Sequence, residues 1–222
     1  MTDSLHLLLT WTPFLLEGFA WNVFIAVCAV ALGSSLGALL AWLRVGARAK
    51  PAAIATRIST ILGSVPTLAL IFYAVFVLPN EIVLPGAGIV LQVPPWAKAV
   101  LGLAASPLSF TAESLVVAYR NYRKGDIDAA MLFIPTWINV FLISFVASSA
   151  ASLVGVSELV SRCNTVIAAS ETNVMVPVYL YCSLYFVATS LLFTAMINRL
   201  KRSRLMVRTH RRMALAHAAA HG

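Results

Sequence analysis

Four stretches of this chain carry no charged residue at all: Gly18 to Leu43, Ile58 to Asn80, Ala129 to Ser157, and Thr172 to Asn198. A helix rises 1.5 Å per residue, so about 20 apolar residues cross roughly 30 Å of hydrocarbon. Each stretch is longer than that. A fifth run, Ala99 to Tyr119, is broken only by Glu113. Lipid offers no partner to an open backbone, so such runs must be helices or a closed barrel. Barrel strands alternate apolar and polar residues, and these runs do not. The reading is an all-α integral membrane protein with about five transmembrane helices, near 19–43, 58–78, 99–119, 131–153 and 176–198.

Composition closes the other routes. The 222 residues are 60% hydrophobic and 11% charged, where a soluble domain carries about 25% charge. That is too little to coat a water-facing surface, and too much hydrophobicity for a disordered chain. The net charge of +8 would suggest nucleic acid in a soluble protein. Its placement says otherwise. Segments 44–57, 120–130 and 199–222 hold 14 of the 16 Lys and Arg residues, and the other side has only Lys98 and Arg162. Basic residues gather on the cytoplasmic face, so the amino terminus is expected outside and the carboxyl terminus in the cytoplasm. The first helix is not expected to be a cleaved signal peptide, because Asp3 and Glu17 give its flank the wrong sign. The organisation expected is a periplasmic segment 1–18, a permease-like domain 19–198 and a basic tail 199–222, which either lies along anionic lipid or frays into solvent. Segment 80–98, broken by Pro85, Gly86, Gly88, Pro94 and Pro95, reads as an interfacial loop with Trp96 at headgroup level.

Few residues carry chemistry. Glu113 lies inside the third span, where a bare carboxylate costs at least a few kcal/mol, so it must face protein or water. It is either a pathway contact for a solute ammonium or an interhelical hydrogen-bond partner. Asn139, Ser144 and Ser148 fall at roughly helical spacing on the fourth span. They either line a wet path or let helices pack closely. Gly33 and Gly37 form a GxxxG pattern, and Pro66–Thr67 sits where a kink would fall, beside a path or as a packing bend. Cys28 and Cys182 read as small packing residues, and Cys163 has no evident partner. No HExxH, GxSxG or phosphate-loop pattern occurs, and the four histidines lie near the ends. No catalytic residue, metal or cofactor is expected, and no nucleic acid.

The order of segments resembles the permease subunits of bacterial polar amino-acid ABC importers, from about Leu15 to Leu200. LLEGFAWNVFIAVCAVALGSSLGALLAWLRV looks like the first span, ILGSVPTLALIFYAVFVLP like the second and LPGAGIVL like the outer loop. SFTAESL resembles a Tyr-Thr-Ala-Glu stretch, with Phe110 for Tyr and Glu113 at the acidic position. KGDIDAA looks like the start of a cytoplasmic Glu-Ala-Ala loop, with Asp128, Ala129 and Ala130 at its signature positions and Arg123, Lys124 and Gly125 just before. IPTWINVF and SAASLVGVSELVSR resemble the fourth span and the outer segment after it, matching Asn139, Ser152, Gly155 and Glu158.

The resemblance implies an ABC-type permease subunit in the bacterial inner membrane, importing polar amino acids or similar small solutes. Its partners would be separate ATP-binding subunits, a second permease copy or paralogue, and a periplasmic solute-binding protein. Glu113, Asn139, Ser148 and Thr67 would then border the pathway. One departure stands out. Only AAMLFI separates Asp128 from Pro135, with no glycine, so the Glu-Ala-Ala coupling loop is shortened. The alternative is a degenerate scaffold or regulatory subunit that kept the fold and does not transport.

Overall fold

The computed structural model describes residues 2–46, 49–83, 90–170 and 173–201. The expected all-α membrane architecture is what it shows. The helices are α1 (Thr2–Gly46), α2 (Ala49–Ser64), α3 (Thr67–Val77), α4 (Pro95–Arg123), α5 (Ile127–Met131), α6 (Phe133–Ala147), α7 (Leu159–Ala168) and α8 (Met175–Lys201). A 3-10 helix, Ser148–Val154, continues α6. Strands β1 (Glu81–Val83) and β2 (Val90–Gln92) form an antiparallel hairpin with Ile82 opposite Leu91. Among the described residues, four helical segments are long and apolar enough to cross a membrane, or five if α2 and α3 make one broken span.

Three outcomes differ from expectation. The first helix begins at Thr2, well before residue 19, because its early turns are themselves apolar and pack on α7 and α8. The second span is not one helix. Val65 and Pro66 are non-helical, and Pro66 (ψ 132°) precedes the first residue of α3. Proline has no N–H for the ladder and its ring excludes the preceding turn, so the helix stops there. Segment 80–98 holds a hairpin on one side and the start of α4 on the other. Positions 84–89 of the expected outer loop, Arg48, and the basic tail from 202 onward lie outside the described residues.

The chain divides into two compact units. The first comprises residues 1–29, 65–104 and 144–189. Its apolar core gathers Leu8, Leu15, Leu159, Val166, Val174 and Val178, with Trp11, Phe14 and Phe19 packed against it. Close backbone approach needs glycine here: a Cβ on Gly102 would lie 2.5 Å from the Cα of Ile71. Cys163 and Cys182 are joined in a disulfide within this unit, so Cys163 does have a partner and Cys182 is more than packing. Their separation of 19 residues bridges α7 and α8, a juxtaposition that no local spacing reveals.

The second unit comprises residues 30–64, 105–143 and 190–222. Gly37 of the GxxxG pattern meets Leu108, Thr111 and Ala112 of α4, and Gly63 meets Ser109. Trp137 donates its indole N–H to Ser34 at 2.8 Å. Phe141 of α6 stacks on Phe193 of α8, centroids 4.8 Å apart.

Candidate functional site

Two polar clusters are built into the helices, one in each unit. The cluster in the second unit centres on Glu113 of α4. Arg44, in the last turn of α1, meets it with both guanidinium nitrogens, at 2.6 Å to Oε1 and 3.0 Å to Oε2. Ser59 of α2 donates its hydroxyl to Oε1 at 2.9 Å, and Ser109, one turn before Glu113, donates to the Ser59 carbonyl at 2.7 Å. The side chain of Arg44 is 11% exposed and that of Glu113 47%. A planar fork on a carboxylate fixes orientation as well as distance. The arrangement therefore ties α1, α2 and α4 together. Of the two readings of Glu113, the interhelical partner is the geometry observed. Arg44, grouped by sequence with the cytoplasmic segment, is its counter-charge.

Beside Glu113, α4 and the α5–α6 segment border a cavity of about 380 Å³. Ala129 of the coupling-loop pattern lines it together with Glu113 and Thr136. The loop has a definite local shape. Gly125 takes φ 83°, a left-handed conformation that ends α4 at little cost for glycine. Asp126 then caps α5, its side chain accepting from Ala129 N at 3.0 Å. Asp128 sits in the first turn of α5, Ala130 is buried with Ile127 and Met131, and Arg123 and Lys124 are exposed. Only Leu132 separates this five-residue helix from α6.

The cluster in the first unit centres on Asn22, a residue that the sequence reading passed over. Its Nδ2 donates to Glu158 Oε2 at 2.7 Å and to Ser148 Oγ at 3.1 Å, and its Oδ1 accepts from Leu159 N at 3.1 Å. Asn22, Ser148 and Glu158 are each 0% exposed. Glu158 precedes α7 and caps it, Oε1 accepting from Ser161 N at 3.0 Å. Gly155, at φ 87°, ends the 3-10 helix three residues earlier and frees the chain to turn into α7. Burial pushes the Glu158 carboxyl above its ordinary range, and the donors Asn22 and Ser161 pull partly against that. One turn along, buried Arg162 donates to the Phe14 carbonyl and to Glu17, and its guanidinium lies 4.5 Å from the Phe14 ring centre. Lys98, 2% exposed, also belongs to this unit and donates to the carbonyl of Leu78 at 2.7 Å and to Asn80 Oδ1 at 2.8 Å.

The structure thus brings Ser148 and Glu158 together through Asn22, and Glu113 together with Ala129 at one cavity. Ser152 donates to the Ser149 carbonyl within its own turn and also reaches the Glu158 carboxylate with its hydroxyl. Asn139 is exposed on α6 and Thr67 is half-buried at the start of α3, and among the described residues neither side chain makes a hydrogen bond. The signal for Asn22 was available: it is the sole amide side chain between Gly18 and Leu43. No group of three or more His, Cys, Asp or Glu residues able to hold a metal occurs among the described residues.

No protein-family model matches the sequence. No curated protein matches it either. The fold, however, matches a solved structure described as the crystal structure of an amino acid ABC transporter with histidines, at a TM-score of 0.72 and 14% identity. The superposition covers 88% of this chain and 96% of that one. At that identity the likeness is one of fold, and it extends over nearly the whole of both chains.

Proposed function

We propose that this chain is the membrane-spanning permease subunit of an ABC-type importer for polar amino acids or similar small solutes. The observation that carries the reading is the near-complete fold match to an amino acid ABC transporter chain. The ordered segments around Glu113, Asp128 and Glu158 support it. Separate ATP-binding subunits would energise it, so the chain itself would catalyse nothing. A second permease, identical or paralogous, would complete the pathway, and a periplasmic solute-binding protein would deliver solute. The turn from Arg123 to Ala130 would face the ATP-binding subunit. Glu113, Asn139, Ser148 and Thr67 would border the solute path, and Ser152, Gly155 and Glu158 would shape the outer segment. The membrane would be the bacterial inner membrane, with the amino terminus outside. The clustering of 14 of 16 basic residues on one side supports that orientation.

Purified chain, reconstituted in proteoliposomes with candidate ATP-binding and solute-binding subunits, should import a polar amino acid only when ATP is supplied. An intact complex that imports none refutes the reading. A second reading, a scaffold or regulatory subunit that does not transport, draws on one observation: α5 has only five residues, three of them buried. An intact, ATP-hydrolysing complex without uptake would favour it.

A further inference from the structure

We infer that the cavity between α4 and the α5–α6 segment is a binding site for an anionic phospholipid, with an acyl chain in the groove and the phosphate at the basic end of α4. The cavity is lined by Val117, Ala118 and Asn121 on one side and Ala129, Leu132 and Phe133 on the other. Apart from Asn121 these side chains are apolar, and Glu113, Ser114 and Thr136 put polar groups on the rest of the lining. Leu132 is 62% exposed and Val117 54%. The volume of about 380 Å³, against about 30 Å³ for a water-sized group, takes roughly a dozen methylene-sized groups. That suits a stretch of acyl chain, and the helices around it belong to a membrane-spanning chain.

The groove has a charged end. Glu113, Val117, Asn121 and Lys124 follow one another at helical spacing along α4 and its terminal turn, and Lys124 N still bonds the Arg120 carbonyl at 3.2 Å. The row that lines the groove therefore runs into Lys124, with Arg120 and Arg123 alongside. All three are exposed, and none makes a side-chain hydrogen bond or ion pair at contact distance among the described residues. The carboxylates nearby are partly spoken for. Glu113 is held by Arg44, Asp126 caps α5, and Asp128 in the first turn of α5 has an interaction of its own. Apolar groove and basic terminus together match the two ends of an anionic phospholipid, whose phosphate draws basic residues at a membrane surface. A docked protein segment would need an apolar knob beneath an acidic rim. Lipid supplies both parts wherever the chain resides.

Native mass spectrometry tests this on the full chain released from nanodiscs holding equal phosphatidylglycerol and phosphatidylcholine. The chain should retain phosphatidylglycerol preferentially. Arg123→Gln and Lys124→Gln should each lower that preference about fivefold, the factor expected for one basic residue at an anionic surface. Ala118→Phe, which fills the groove, should lower retention of both lipids, and Ala129→Leu repeats the test should the first variant fold poorly. All variants keep the basic tail, so differences among them report the groove. Soluble glycerophosphate should not displace the lipid; displacement would mean a phosphate site without an acyl groove and would overturn the proposal. Equal retention of the two lipids overturns it as well. So does retention indifferent to groove filling, including the case where only binding of an ATP-binding subunit responds. None of these readouts depends on transport.

Discussion

Replacing Asn22 by leucine tests whether the first unit is held by a polar hub in its core. Three hydrogen bonds are lost, to Glu158, to Ser148 and from Leu159 N. Ser148 suffers least, because its hydroxyl still donates to the Phe145 carbonyl. Glu158 loses a donor at 2.7 Å, and a hydrogen bond to a charged group is worth about 1.5–3 kcal/mol. Leu159 N becomes a buried donor without a partner, at about 1–3 kcal/mol. Added apolar area returns about 1 kcal/mol. Alternative partners in a membrane-embedded unfolded state reduce the loss further. The net expectation is about 2–4 kcal/mol, read by reversible unfolding in mixed micelles.

The same variant has a pH signature. Burial holds the Glu158 carboxyl above its ordinary value of 4.5, so over the interval between those values the folded state binds more protons than the unfolded one. The stability linked to this group is fully present below 4.5 and declines as pH rises through the raised value. Asn22 opposes that rise, so Asn22→Leu should extend the decline to higher pH, and Glu158→Gln should flatten it. A loss under about 1 kcal/mol, set against the orphaned-donor cost, together with an unchanged pH slope would refute the hub.

Three further outcomes follow from the geometry. Glu113→Gln removes the charge facing Arg44, and since Glu113 is half exposed the discounted loss is about 1–2 kcal/mol in thermal unfolding. A normal membrane level with reduced uptake would instead mark a solute contact, and no change in either would reject both roles. Lys98→Met keeps the buried stem but strips donors from the Leu78 carbonyl and Asn80, and should cost about 1–3 kcal/mol in the same assay. Gly102→Ala drives a methyl into the backbone of Ile71 and should lower stability by about 1–3 kcal/mol, whereas Gly46→Ala, with open space around it, should not.

The spans were legible because hydrocarbon excludes charge, and runs such as Thr172 to Asn198 can answer that demand in only one way. Pro66 was legible as a kink for an equally local reason, the missing N–H, though not as the full separation of α2 from α3. What the sequence concealed depends on partners far along the chain. Glu17 looks like the outer limit of the first helix, yet the helix continues back to Thr2, and Arg162, 145 residues on, pairs with Glu17 along the way. Arg44 looks like a cytoplasmic loop charge until Glu113, 69 residues on, takes its fork. Asn22 reads as a minor polar interruption until Glu158 and Leu159 arrive beside it. Charge-free length is a property of one segment, and pairing is a property of two.

That distinction bears on how a transport role for Glu113 has to be judged. A solute ammonium arriving at this carboxylate would meet one already bound by both nitrogens of Arg44 and by Ser59. Exchange is possible only if Arg44, 11% exposed, finds another acceptor at the same step. A largely buried charge left alone costs several kcal/mol, more than one ammonium contact returns. A pathway role in which the solute displaces Arg44 therefore requires α1, α2 and α4 to part at this point, so that solvent reaches Arg44 as the solute reaches Glu113. The half-exposed face of Glu113 toward the α4–α5 cavity allows approach from that side without such parting. Whatever occupies the cavity meets the carboxylate as one half of an ion pair. In the conformation described, Glu113 is first a fastening between helices, and a solute contact that replaces Arg44 would belong to a conformation in which that fastening has opened.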